Sequence, residues 1–393
     1  MPFGRDYHPR IADAPMRERA VPVRGSAGRN LVHAADHNAR VTLEALRRAV
    51  ALTRQDLAEV TGLTAPGITN IIRRLVEAHV IRPVDGGRAA RFAIEPNGAF
   101  ALGVDPYGDS VQVAIVDLKG RIVHRDRRRA ASAAIADVGP VMRAALSDML
   151  DAFDPALRGR LLGIGVATPF DPAAITAALP GSLVTVERSS VAAALGERLL
   201  GAAPGDGSFV HVLFGREVRA GLMIRGHLFH GVTDRAGRIG QMRTGEDGIL
   251  LDEAASTAEL QPLIDRHWDA GGGSDDFLSQ LDNEGRALVE RWVDRAALHF
   301  VDAVIAVSGF LAPSGIFVGG RLPRDLISLF TRRFAAVRSE RMAGPQQPQW
   351  LPEIVPATLG PDCVLIGAAM LPFLETLLPD PREPPEVNGF ATG

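Results

Sequence analysis

Residues 52–81 read LTRQDLAEVTGLTAPGITNIIRRLVEAHVI, and this stretch decides what the N-terminal part of the chain is. Thr53 with Asp56 three residues on is a capping box, in which hydroxyl and carboxylate each satisfy an orphan amide at the start of a helix. Leu57, Ala58 and Val60 give that helix an apolar side, and Gly62 closes it, since glycine accepts the left-handed conformation that ends a helix. Thr64 is expected to cap a second helix with Pro66 in its first turn, where a missing amide proton costs little. Ile68, Ile71, Ile72, Leu75 and Val76 recur at three- and four-residue spacing and form one apolar stripe. Thr69, Asn70, Arg73, Arg74 and Glu77 fall on the other face.

The flanks fit a helix-turn-helix with a wing. A helical pattern runs from Leu31 to Val50. After the second helix come Val80–Pro83, a turn at Asp85-Gly86-Gly87, and a returning strand from Arg88 to Ile94. Such a fold lays its second helix in the major groove of DNA, with its first residues at the base edges. Those residues are Thr64, Ala65, Pro66, Thr69, Asn70, Arg73 and Arg74. Asn pairs bidentately with adenine, and Arg with guanine or phosphate. The helix N-terminus at Thr64 suits a phosphate. Arg88 and Arg91 on the wing reach the minor groove or the backbone. A plain helical hairpin with a solvated polar face is the bland alternative. The wing, the N-terminal position and the charge favour DNA. Residues 1–100 hold 15 Arg and no Lys against 10 Asp and Glu, a balance of +5. The whole chain is at −3, so the remainder carries −8.

The 393 residues suffice for two or three domains. The expected division is an arm over 1–30, the winged head over 31–97, a body over 98–378 and a Pro- and Glu-rich tail over 379–393. The single cysteine, Cys363, rules out an internal disulfide framework and suits a reducing cytoplasm. Residues 1–30 lack the apolar core of a secretory signal, and no apolar stretch is long enough to span a bilayer, so no membrane partner is expected. The body alternates strands (Ala101–Val104, Val111–Val116, Leu161–Val166, Phe209–Phe214) with helices (Pro140–Phe153, Ser190–Leu200, Arg286–Ser308), an α/β pattern.

Together with the head, the segments VAIVDLKG, GIGVATP, VAAALGE, GLMIRGHLFHGVTDRAGRIGQM, FVGGRLP and LIGAAM, in this order, resemble the ROK (repressor, open reading frame, kinase) family in its regulator branch. The resemblance runs from about His37-Asn38 to Leu371. It implies a two-lobed, actin-like ATPase fold behind a mainly α winged head, commonly dimeric or tetrameric, and a DNA operator with two-fold symmetry.

The departures from the kinase pattern bear on chemistry. The first phosphate turn reads Asp105-Pro106-Tyr107-Gly108-Asp109-Ser110, where Pro106 removes an amide donor and Asp109 adds a repelling charge. The second reads Gly215-Arg216-Glu217-Val218-Arg219-Ala220-Gly221, crowded where a nucleotide approaches closely. Ser189 stands where the family has its catalytic Asp, and serine is no base at neutral pH. The family's Glu-x-Gly-His reads Arg238-Ile239-Gly240-Gln241, and its zinc cysteines are absent after it, so neither metal nor cofactor is expected. Thr244–Leu251 must then be held by other contacts or be mobile. Thr168, Arg188, Ser189, Arg219, Arg238, Gln241 and Asp252 are the candidate effector residues. Their arginines either converge on an acidic ligand such as a sugar acid or sugar phosphate, or pair with Glu187, Glu217 and Asp252 and fill the cleft. The reading is a sugar-sensing or sugar-derived-ligand regulator. The alternatives are a carbohydrate kinase and a regulator that answers to a protein.

Overall fold

The computed structural model describes residues 31–86, 90–203, 207–268, 276–342 and 351–382. The expected arm, the wing residue Arg88 and most of the expected tail lie outside them.

The head contains α1 (Leu31–Arg48), β1 (Leu52–Thr53), α2 (Arg54–Thr61), α3 (Ala65–Glu77), β2 (Ile81–Pro83) and β3 (Arg91–Ile94). The capping box forms: the Thr53 amide donates to Asp56 at 2.9 Å and the Asp56 amide to the Thr53 hydroxyl at 3.2 Å. Gly62 closes α2 at φ 68°. Thr64 stands at the N-cap of α3, but its hydroxyl makes no cap hydrogen bond there, which corrects the sequence expectation. The strands pair in the order β1-β3-β2, and the apolar stripe of α3 is buried against them and α1.

Two sheets form the body. The first lobe holds β4 (Phe100–Tyr107), β5 (Ser110–Asp117), β6 (Ile122–Arg129), α4 (Ile135–Ala152), β7 (Leu161–Ala167), α5 (Pro172–Ala178) and β8 (Val184–Glu187). Its sheet runs β6-β5-β4-β7-β8. After α6 (Ser189–Leu200), the second lobe holds β9 (Phe209–Phe214), β10 (Arg219–Ile224), β11 (His227–Leu228), β12 (Arg243–Thr244), β13 (Ile249–Leu250), α7 (Leu251–Ala255), α8 (Gln261–His267), α9 (Phe277–Gln280), α10 (Asn283–Leu311), β14 (Gly315–Gly320), α11 (Arg324–Arg341) and β15 (Glu353–Pro356). Its sheet runs β11-β10-β9-β14-β15. Each sheet is therefore two antiparallel hairpins followed by two parallel crossovers, the same wiring twice. Helix α4 starts one turn before the sequence reading, leaving Pro140 inside it. Proline lacks only one hydrogen bond there, and the apolar side carrying Val138, Met142 and Met149 stays buried.

The last helix, α12 (Cys363–Thr376), returns to lie between α6 and the first sheet. Glycines permit this approach, two of them at the tightest points. A Cβ on Gly165 of β7 would come 1.8 Å from the Ala368 carbonyl oxygen, and one on Gly367 of α12 would come 1.9 Å from that of Ala192 in α6. Burial pushes the Cys363 thiol up to about 12, so it remains a packed, uncharged side chain.

Head and body share one hydrophobic cluster. Leu43, Leu46, Ile68 and Ile72 belong to it with Leu195 and Leu199 of α6 and Phe373 and Leu374 of α12. Polar contacts tie the same joint. Arg40 donates to the carbonyls of Leu374 (2.9 Å) and Glu375 (2.9 Å), orphan acceptors in the last turn of α12, and of Leu378 (3.2 Å) just beyond it. Arg47 donates to Leu199 at the end of α6 and to Glu44 at 2.8 Å. Burial works to raise the Glu44 carboxyl, but Arg47 and then Arg48 overcome it and hold it below its ordinary value. A depressed folded pKa stabilises above the unfolded value, near ~4.3, and the contribution is lost as pH falls through the folded value. Protection factors of the α1 amides, with the intrinsic pH dependence of exchange divided out, are therefore expected to fall on acidification below about pH 4. Glu44→Gln should remove that acid step and leave exchange at neutral pH already faster.

Candidate nucleic-acid interface and interlobe cleft

On the head, α3 presents Thr64, Ala65, Pro66, Thr69, Asn70, Arg73 and Arg74 as exposed side chains, because the stripe that includes Ile68, Ile71, Ile72 and Leu75 faces the core. The Thr69 hydroxyl donates back to the Ala65 carbonyl at 2.9 Å. A groove of about 540 Å³ runs between α3 and the wing, lined by Thr69, Asn70, Arg73 and Glu77 on one side and Pro83 and Phe92 on the other. Arg54 sits in it with its guanidinium 4.7 Å over the Phe92 ring. Arg54 escapes a sequence reading because its partner lies on a strand far along the chain. On the wing, Arg91 pairs with Asp85 at 2.8 Å, and Asp85 also accepts the Arg91 amide at 2.7 Å. Those bonds hold the Asp85 carboxyl below its ordinary value and fix the base of the wing.

In the body, Asp105 lies at the end of β4, 2% exposed. Arg321 reaches it from the turn after β14, in the other lobe. Its Nε donates to Asp105 Oδ2 at 2.6 Å and a terminal nitrogen to Oδ1. That terminal nitrogen also donates to the Ser189 hydroxyl at 3.2 Å, at the first residue of α6. The guanidinium lies 4.2 Å from the Tyr107 ring centroid, and the Tyr107 hydroxyl accepts the Arg216 amide at 2.7 Å. The Asp105–Ser110 segment is a tight hairpin, with Tyr107 opposite Ser110 and Gly108 at φ 61°. Asp109 at its tip pairs with Arg129 at 3.2 Å, so the charge read as repelling phosphate is partly neutralised. Beside the hairpin is a cavity of about 310 Å³ bordered by Arg127, Arg129, Arg216 and Trp268. None of those four was among the expected site residues. Burial works to raise Asp265 on its wall, and Arg129, Gln261 and Arg127 outweigh it and hold that carboxyl low.

The expected effector residues are split up. Arg219 pairs with Glu217 at 2.6 Å. Arg188 donates to the Asp234 carbonyl, while Glu187 accepts the Arg188 amide at 2.8 Å. Asp252 accepts the Val218 amide at 2.6 Å and packs against Gly240, where a Cβ would come within 1.9 Å of its carboxylate. Thr168 is buried and accepts the Phe170 amide at 3.1 Å. Arg238 and Gln241 are exposed at the ends of the Ile239–Gln241 turn. The three arginines thus do not form one fork; two are engaged separately. The Arg188 Nε and one Arg219 terminal nitrogen are nonetheless buried without a hydrogen-bond partner. The segment after Gln241 is held rather than loose: β12 pairs with β13, Thr244 Oγ lies 3.0 Å from His299 Nδ1, and Asp302 accepts the Gly245 amide at 2.7 Å.

Comparison with known proteins agrees with both halves. A winged helix-turn-helix DNA-binding family model matches residues 36–82. The chain is 28% identical over 371 residues to the uncharacterized protein y4fQ of Sinorhizobium fredii, covering 86% of this chain and 90% of that one. It is 23% identical over 239 residues to the xylose repressor of Bacillus subtilis, covering 54% of this chain and 61% of the repressor. Among solved structures, a ROK family transcriptional regulator, a homolog of the Escherichia coli MLC protein, superposes with a TM-score of 0.65 at 18% identity over 88% of this chain and 97% of that one. A ROK family glucokinase from Streptomyces griseus, in complex with glucose and AMPPNP, superposes with a TM-score of 0.53 at 20% identity over 70% of this chain and 99% of the kinase.

Proposed function

We infer from a winged helix-turn-helix head joined to a ROK-type body that this chain is a DNA-binding transcription regulator of the ROK kind. The observation that carries the reading is the exposed face of α3. It offers Asn70 and Arg73 beside a groove flanked by Arg54, on a helix whose opposite side is core. In this reading α3 enters the major groove, Asn70 and Arg73 address base edges, and a phosphate backbone follows the groove between α3 and the wing. Arg74, and the wing's Arg91 and Arg88, serve the backbone. The chain acts as a homodimer or homotetramer on an inverted repeat in the cytoplasm.

The body in this reading is not a kinase. A sugar hydroxyl attacking phosphate needs a base, and Ser189 with Arg321 at its hydroxyl supplies a donor instead of an acceptor. What the body senses is a sugar-derived, acidic small molecule. The unpaired buried nitrogens of Arg188 and Arg219 favour this, since a ligand oxygen would satisfy them.

The test is a salt series of binding to the intergenic DNA upstream of the chain's own gene. Affinity should fall steeply with salt, because each neutralised phosphate releases a counterion. Arg74→Ala should reduce the slope of log affinity against log salt by about one per head and weaken all sequences alike. ATP-dependent phosphorylation of a sugar by the unaltered chain would sink the reading of the body.

A further inference from the structure

We propose that Arg321 is a built-in occupant of the interlobe cleft whose own contacts hold the two lobes closed. It leaves the second lobe at the turn after β14. It meets the first lobe at both carboxylate oxygens of Asp105 and on the face of Tyr107, and it reaches the Ser189 hydroxyl at the root of α6. A guanidinium is suited to this, because its planar fork matches a carboxylate and its face stacks on a ring. The Arg321 side chain is 10% exposed and that of Asp105 2%. Further links cross the same seam: the Arg216 amide of the second lobe donates to Tyr107, and Arg129 of the first lobe pairs with Asp265 of the second at 3.0 Å.

The physics makes the pair a closing device rather than a neutral filler. With both charges present, the closed cleft satisfies them. Remove the guanidinium, and the closed state keeps an uncompensated carboxylate away from water, whereas an opened cleft hydrates it. The population must then move toward open. The ends of the two helices that run from this seam carry the consequence onward. Helix α6 begins at Ser189 and ends where Arg47 of the head binds Leu199, and α12 packs along α6 and ends where Arg40 binds its last carbonyls. Closing the cleft thereby sets where α1 sits. This onward effect on DNA rests on the regulator reading; the closure does not.

The experiment uses the full chain with spin labels at Asp151→Cys on α4 and Glu290→Cys on α10, both exposed, while the native Cys363 is buried and unreactive. With the labelled chain diluted into an excess of unlabelled chain, one narrow distance within the protomer is expected, unmoved by glucose, xylose or ATP. Arg321→Ala should lengthen and broaden it. Should that variant fail to fold, Arg321→Lys keeps the charge, loses the fork and the ring stack, and should broaden the distribution alone. An unaltered chain that is already broad and narrows only with a sugar or nucleotide overturns the proposal, as does a folded Arg321→Ala with the original distance. DNA affinity measured on the same variant should shift by roughly 5- to 150-fold. A lengthened distance with unchanged affinity would overturn the onward coupling and leave closure standing.

Discussion

Gly367→Ala is expected to destabilise the chain by about 3 kcal/mol or more, at the upper end of what overpacking costs. The added methyl would lie 1.9 Å from the Ala192 carbonyl oxygen and 2.4 Å from its carbon. Both are backbone atoms of α6, so no side chain can rotate away. Relief requires α6 and α12 to separate, and α12 is also pressed against β7, where Gly165 meets the Ala368 carbonyl. The helix can move in neither direction without opening packed surface. Thermal unfolding should drop by many degrees, and DNA binding should fail with it, since α6 and α12 also carry the head. A melting temperature within a degree or two of the unaltered chain would show that the two helices are not packed as described.

The second large effect belongs to the head. Asn70→Ala with Arg73→Ala should cost about 2 to 6 kcal/mol in binding to a preferred DNA site, since each well-placed base contact contributes ~1–3 kcal/mol of discrimination. That is a loss of roughly thirty-fold or more. Both side chains are exposed, so the melting temperature should hardly change. The signature that separates base reading from simple charge is selectivity. The double variant should lose preference between the site and unrelated duplex, whereas Arg74→Ala should weaken both together. Equal loss on all sequences for the double variant would move Asn70 and Arg73 from base edges to the backbone.

What was legible in the sequence was what local chemistry decides. The capping box at Thr53 and Asp56, the glycine stop at Gly62, the apolar stripe of α3 and the pairing of β2 with a returning strand all depend on near neighbours and are present, although the strand begins at Arg91 and the expected turn and Arg88 lie partly outside the described residues. Thr64 shows the limit of that logic. Its place at the helix start was readable, but the direction of its hydroxyl was not. The cleft was legible only in part. Ser189 is legible through what it replaces, whereas Arg321, inside FVGGRLP, has nothing near it in sequence that signals a partner. Asp105 is 216 residues away. The arginines that did stand out, Arg188 and Arg219, found nearer partners in Asp234 and Glu217 and do not converge. The joint between head and body was hidden for the same reason. A boundary between residues 97 and 98 in the chain does not reveal that Leu43, Leu199 and Phe373 meet in one cluster across it.

The most direct test of the central claim is selection of duplex DNA from a random-sequence pool by the full chain at physiological salt, with the Asn70→Ala/Arg73→Ala variant in parallel. The account predicts enrichment of an inverted repeat by the unaltered chain, with half-sites separated by whole helical turns, and its absence from the variant. A pool that stays unenriched, with equal retention by both proteins, would contradict DNA recognition by α3.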